Sequence, residues 1–251
     1  MFPFLNIGRQ QVPTYGLLLC VAIVLGVRMA VARAERYGLP RSFAYTAASL
    51  AVLVALLGAK LTDWLIHLRT FSPSRLIAGG GTFLGGFLLA FLATAVCAHR
   101  AKVSLWSLAD SFAPSLALGV SIVRVGCLGA SCDYGKPTAL PWAVVFKNQA
   151  AAQLSGVPLN VPLHPSQIYE SAFGLLILGV LLWWERKPQL PGMMILAFVS
   201  LYSLGRFLLE FLRGDVGRGF WGPLSTSQWL ALLTLLLFCT CYLRVARQQT
   251  R

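Results

Sequence analysis

A polytopic, all-α integral membrane protein of about seven spans is the fold this sequence predicts, on three observations. The 251 residues are 57% hydrophobic and only 12% charged, a composition that ordinary soluble domains do not have. The apolar residues gather into segments long enough to cross a hydrocarbon core about 30 Å thick. Basic residues cluster after alternate segments, the pattern that orients membrane proteins with the positive side in the cytoplasm. No repeat, low-complexity tract or linker divides the chain, so residues 1–251 are expected to form a single membrane domain.

The segments are expected at residues 14–33, 44–66, 81–98, 111–129, 166–184, 192–212 and 226–243. The first opens at Tyr15-Gly16 and is followed by Arg33, Arg36 and Arg41. Its end, Ala30-Val-Ala-Arg-Ala-Glu35, looks like a processing site, but a cleaved signal carries its positive charge before the apolar run, and only Arg9 precedes this one. An uncleaved span is expected. The second carries Lys60 and Asp63, at a spacing that suits a local pair on a helix. Gly79-Gly80-Gly81 and Gly85-Gly86 flank the start of the third, a composition that also suits close helix packing. Arg100 and Lys102 follow it. The fourth begins at Asp110, read as a helix cap, and ends near Arg124 and Gly126. Residues of about 130–165 form the longest polar connection and are expected to make a small outer cap. His164-Pro-Ser166-Gln167 leads into the fifth, which Arg186 and Lys187 follow. The seventh is followed by Arg244, Arg247 and Arg251.

With seven spans, all these basic clusters share one side. That side is assigned to the cytoplasm, with the amino terminus outside and the carboxyl terminus inside. The net charge of +13 therefore orients the chain on an anionic lipid surface. The aromatic-interleaved basic patch of a nucleic-acid binder is missing, so no nucleic-acid partner is expected. Cys20, Cys97, Cys239 and Cys241 lie in apolar runs and read as small hydrophobes. Cys127 and Cys132 lie at the outer end of the fourth segment, where a disulfide is chemically permitted. Two thiols without further ligands are not a metal site, and no metal or cofactor is expected.

The sixth segment is the most informative. Tyr202, Arg206, Glu210 and Arg213 recur at helical spacing among Leu and Phe, so they share one face. Ionisable groups at bilayer depth are costly and normally face a cavity or a partner. The expected topology places Tyr15, Lys60, Arg124, His164, Arg206 and Glu210 at one depth, in the outer half of the membrane. A structural ion pair between Arg206 and Glu210 is the simpler reading of that pair alone. The convergence points instead to a site. Guanidinium groups grip phosphate with two parallel hydrogen bonds, and the phosphate at that depth is a phospholipid headgroup. Glu210 would orient an arginine or take a proton.

At these motifs the chain resembles the prolipoprotein diacylglyceryl transferases. Tyr15-Gly16 is similar to that family's Tyr-Gly in the first span, and Gly58-Ala-Lys60 to its Gly-x-Arg, with Lys for Arg. Gly80-Gly-Thr-Phe-Leu-Gly-Gly86 resembles its Gly-rich stretch, and Asp110 through Gly126 its Asp-x3-Pro…Arg-x-Gly run. Gly135-Lys-Pro-Thr-x-x-Pro-Trp142, His164-Pro-Ser-Gln-x-Tyr-Glu170 and Tyr202-x3-Arg206-x3-Glu210-x2-Arg213 match more closely. The resemblance implies transfer of a diacylglyceryl group from phosphatidylglycerol to the lipobox cysteine of a prolipoprotein signal peptide, in the bacterial inner membrane. It implies Arg124 and Arg206 on the phosphate, Glu210 behind Arg206, and hydroxyl contacts from Tyr15 and Tyr202. Lys60 and Gly126 lie in matched motifs beside them, as does Gly135. Gly85 and Gly86 would let backbone and lipid approach closely, and His164, Ser166 and Gln167 would shape the mouth of the cavity.

Two departures stand out. Leu84 occupies the place of the family's usual His. Cys127-Leu-Gly-Ala-Ser-Cys132 replaces its Asn-Phe-Ile-Asn-Gly-Glu, as in a Cys-rich divergent subgroup. They leave open a paralogue with another acceptor, or an inactive phospholipid-binding protein.

Overall fold

The computed structural model describes residues 3–8, 10–66, 83–187, 189–215 and 219–249. Each of the seven apolar segments contains a helix: α1 (Thr14–Arg33), α2 (Arg41–Ile66), α3 (Phe83–Arg100), α4 (Leu105–Ala130), α6 (Ser166–Trp184), α7 (Met193–Leu209) and α8 (Thr226–Gln249). A short α5 (Gln149–Ser155) lies between α4 and α6. Among the described residues, α1, α2, α4, α6 and α7 are long and apolar enough to cross a membrane, and the apolar parts of α3 and α8 are shorter. The β-structure of these residues is three two-stranded antiparallel ribbons. The all-α membrane class is therefore shown. Gly79, Gly80 and Gly81 lie outside the described residues.

Contacts divide the chain into two compact units, Met1–Gly26 with Ala113–Arg251, and Val27–Phe112. In the second unit α2 and α3 pack along each other. Small residues make this possible. A Cβ on Gly86 would lie 2.5 Å from the backbone oxygen of Ala55, and one on Gly85 2.0 Å from Thr62 Oγ1. Ala34, Leu39, Ala44, Ala47, Ala98 and Leu108 form a buried cluster at the other end of this unit.

Asp110 corrects one expectation. It does not cap α4 but lies in the helix's second turn, 1% exposed. The cap is Ser104, whose Oγ accepts from Ser107 N at 3.4 Å. Next to Asp110, Ser111 Oγ donates back to Leu108 O at 2.8 Å, so the helix accommodates the polar residues of this turn.

In the first unit the 130–165 connection has a core of its own, built from Tyr134, Phe146, Val157 and Leu163. Its ribbon pairs β3 (Val144–Val145) with β4 (Pro162–Leu163). Asn148 caps α5, accepting from Ala151 N at 3.1 Å. Tyr134 Oη donates to Gly156 O at 2.9 Å, which ties the start of the cap to the end of α5. The helix α8 starts with a reciprocal cap: Gln228 N donates to Ser225 Oγ at 3.2 Å and Ser225 N to Gln228 Oε1 at 2.9 Å. Ser203 on α7 and Thr234 on α8 share a 2.6 Å hydroxyl hydrogen bond.

The polar seam of the sixth segment does not stay on one α-helix. After Leu209 the chain tightens into a 3-10 turn, Glu210–Leu212, and Arg213 is extended. Tertiary pairing ends the helix here. Lys136 N donates to Leu212 O at 2.8 Å and Gly214 N to Tyr134 O at 2.9 Å.

Candidate active site

Four stretches of the first unit bring their charges together. Arg124 projects from the penultimate turn of α4, and Asp133 follows that helix after a sharp turn in which Ser131 and Asp133 both have positive φ. Glu170 lies in the second turn of α6, and Arg206 near the end of α7. Glu210, Arg213 and Asp215 complete the set just beyond it.

Glu170 is the hub. One carboxylate oxygen lies 2.7 Å from Arg124 Nε as an ion pair, and the other accepts a hydrogen bond from Arg206 Nη1 at 2.9 Å. Arg124 Nη1 also pairs with Asp133 Oδ2 at 2.7 Å, and Arg206 Nη2 with Glu210 Oε2 at 2.9 Å. Arg213 closes the ring. It pairs with Asp133 Oδ1, and its Nε and Nη2 grip Asp215 at 2.8 Å each. Three guanidiniums thus meet four carboxylates. Buried charges are tolerated only when paired in this way.

Accessibility separates the arginines. The side chains of Arg124 and Arg206 are 17% and 15% exposed, and that of Arg213 is 5% exposed. A guanidinium has five N–H donors. Among the described residues, two ion pairs each leave Arg124 and Arg206 with N–H groups to spare, in the more open part of the network. Asp133 is held electrostatically. Burial disfavours its carboxylate, but the guanidiniums of Arg124 and Arg213 outweigh this and keep its carboxyl below the usual range.

Several residues expected to line a substrate site also contact this network or the turn that carries it. Ser166 Oγ donates to Asp133 O and Gln167 Nε2 to Cys132 O, both at 2.7 Å, and both side chains are buried. They fix the turn that carries Asp133. His164 Nδ1 lies 3.4 Å from Tyr169 Oη, which accepts from Trp142 Nε1 at 2.7 Å. Gly135 passes so close to His164 that a Cβ would sit 2.4 Å from its carbonyl oxygen, and it bridges to Arg213. Gly126 brings α4 against α1, where a Cβ would meet the Tyr15 backbone at 3.4 Å. Tyr15 is a charge-range neighbour of Arg124, Asp133, Cys127 and Cys132. Tyr202 neighbours Arg124 and stacks on Phe198, with ring centroids 5.8 Å apart.

The structure thus gathers Tyr15, Arg124, Gly126, Gly135, His164, Ser166, Gln167, Tyr202, Arg206 and Glu210 in one unit. Lys60, Gly85 and Gly86 belong to the other, where the two glycines pack α3 on α2. Glu170 and Asp133 were not singled out from sequence. Glu170 carried a usable signal, an acid early in an apolar span. Asp133 carried none, because nothing in a nine-residue offset around a helix end links it to Arg124.

Cys127, Cys132 and Asp133 place a donor atom each within 4.8 Å of one another. The set is poorly suited to a cation, since both Asp133 oxygens are engaged by guanidiniums.

Comparison with known proteins assigns the chain to a family. The family model described as prolipoprotein diacylglyceryl transferase matches residues 3–244. The chain belongs to this family. It is similar to the phosphatidylglycerol–prolipoprotein diacylglyceryl transferase of Clostridium tetani, at 32% identity over 89% of each chain. The protein of that name from Acaryochloris marina is 32% identical over 91% of this chain and 84% of its own. That of Bordetella bronchiseptica is 28% identical over 98% and 96%. The protein is a membrane transferase, and the ionic network lies in the part of it that holds the most closely matching motifs.

Proposed function

We propose that this transferase moves the diacylglyceryl group of phosphatidylglycerol onto the lipobox cysteine of a prolipoprotein signal peptide. The observation that carries the reading is the pair of part-exposed guanidiniums, Arg124 and Arg206, held face to face by the single carboxylate of Glu170. Two part-exposed cations that share one carboxylate suit a phosphate diester whose ester oxygen is about to leave.

In this reading the client sulfur, as thiolate, attacks the terminal glyceryl carbon of the lipid. The C–S bond forms as the C–O bond breaks, and glycerol phosphate departs with the bonding pair. Arg124 and Arg206 stabilise the charge that develops on the phosphate oxygen. Glu210, 2% exposed at its side chain and 2.9 Å from Arg206, acts through that arginine as a positioning residue. The client thiol gives its proton to solvent, and Tyr15 and Tyr202 donate hydroxyl hydrogen bonds. The reading places the cap and the amino terminus outside, Arg251 inside, and the whole in the bacterial inner membrane.

The test is to incubate the purified protein with phosphatidylglycerol vesicles and a lipobox peptide, and to weigh the peptide. A gain of one diacylglyceryl group, absent with a Cys→Ser peptide and with Arg124→Ala, is the expected result. No gain, in a protein that inserts and binds the lipid, would leave an inactive phospholipid-binding member. Glu210→Gln separates positioning from base catalysis. A positioning role predicts a strong loss that alkaline pH does not repair, whereas a base would be replaced by thiolate formed at high pH.

A further inference from the structure

We propose that Cys127 and Cys132 are a redox-active pair that closes to an intrachain disulfide, with Cys132 the attacking thiol and Cys127 the resolving one. The inference rests on the outward placement of this end of α4 given above, because disulfides form on the oxidising side of a membrane.

The geometry is already set for it. The chain folds back at the end of α4, so that Cys132 N donates to Cys127 O at 3.1 Å and Cys132 Sγ lies 3.7 Å from the same oxygen. The two sulfurs lie within 4.8 Å, and a disulfide needs them about 2 Å apart. Both are free thiols in this structure. The turn that carries Cys132 is fixed from the other side by Gln167 and Ser166, so the approach is guided rather than random.

The two thiols are unlike. Cys127 is 4% exposed, with Arg124 Nη1 4.0 Å from its sulfur. Cys132 is half-buried, and the neighbouring Cys127 thiol holds its pKa below the ordinary thiol value despite burial. A more accessible sulfur with more thiolate character is the one that attacks first.

The chemistry balances with an external disulfide as oxidant. The Cys132 thiolate attacks one sulfur of that disulfide, forms a mixed disulfide and expels a thiolate. Cys127 passes its proton to the departing thiolate. Its sulfur then attacks the Cys132 sulfur, closes the internal bond and expels the second thiolate. Two cysteine thiols are oxidised and one disulfide is reduced to two thiols. Asp133 follows Cys132 directly and holds both Arg124 and Arg213, so the state of the pair reaches the arginine network.

The experiment equilibrates the purified protein with mixtures of reduced and oxidised glutathione. The reaction is quenched with acid, free thiols are alkylated, and the peptides are weighed. The expected result is that Cys127 and Cys132 lose alkylation together as the mixture becomes oxidising, and regain it on reduction. Cys127→Ser should accumulate glutathione on Cys132, and Cys132→Ser should leave Cys127 free of it. Alkylation of both thiols at every poise, or glutathione added first to Cys127, would overturn the proposal. The readout is thiol mass, so a protein inactive in transfer, or inserted the other way, gives the same answer. The failure of either reading is thereby told from failure of this one.

Discussion

Between α4, α6 and α7 the contacts that matter are ionic, and between α2 and α3 they are steric. The first region spends three arginines and four acids on a ring in which Glu170 and Glu210 are 4% and 2% exposed at their side chains. The second has Gly85 and Gly86 against α2, with no room for a methyl group. Apolar packing of the second kind stabilises a helix pair at little electrostatic cost. Removing three arginines and four acids from water is costly. The proposed function therefore falls to the ionic ring, and the glycine seam serves helix packing. Substitutions can test that division.

The largest effect is expected in the ring, on transfer. Arg206→Lys keeps the charge but loses the planar fork, and should lower the rate by on the order of 10²-fold or more, as loss of a transition-state donor does. Arg124→Ala should do at least as much. Near-normal transfer from a correctly inserted Arg206→Lys protein would return the ring to a purely structural role.

The next effect is on stability. Glu170→Ala leaves the guanidiniums of Arg124 and Arg206 short of a shared partner. Breaking a buried pair in this way costs about 3–5 kcal/mol, measured by thermal unfolding in detergent. Gly86→Ala should cost less, about 1–3 kcal/mol for overpacking, because the obstacle is the backbone oxygen of Ala55 at 2.5 Å. It should leave the acid sensitivity of the protein unchanged. If Gly86→Ala proves the more harmful to stability, the seam and not the ring is the main strut.

Acid should distinguish the regions again. The folded carboxyl of Asp133 lies below its ordinary value, so its stabilising contribution is complete above about pH 4. It disappears as the pH falls from there through the lower folded value, where the folded state gains the proton. Asp133→Asn should flatten this part of the profile while lowering stability at neutral pH. An unchanged slope between wild type and Asp133→Asn would show that another carboxylate controls the acid limb.

The smallest effect is expected at Leu84, which is 58% exposed on α3. If the chemistry runs through the ring alone, Leu84→His should leave transfer within about twofold of wild type, well under 1 kcal/mol of barrier. A large gain would move part of the chemistry to the other unit.

The sequence by itself determined the membrane class and the position of the seven apolar helices, and it singled out Arg124, Arg206 and Glu210, which the structure joins in one ionic network. These follow from segment length and from the cost of a charge among apolar neighbours, which are local properties. The tertiary structure alone decided how the charges meet. Periodicity put Arg213 on the helix face of Arg206, but pairing with the cap ended the helix first and turned Arg213 towards Asp133. It also showed that Ser166 and Gln167 serve the turn at Cys132–Asp133. The reason is physical. A hydrophobic pattern fixes which face of a helix is buried, whereas an ion pair between residues of different segments depends on where the backbone brings them in space. Glu170, in a helix of its own, is joined to both arginines only by that arrangement.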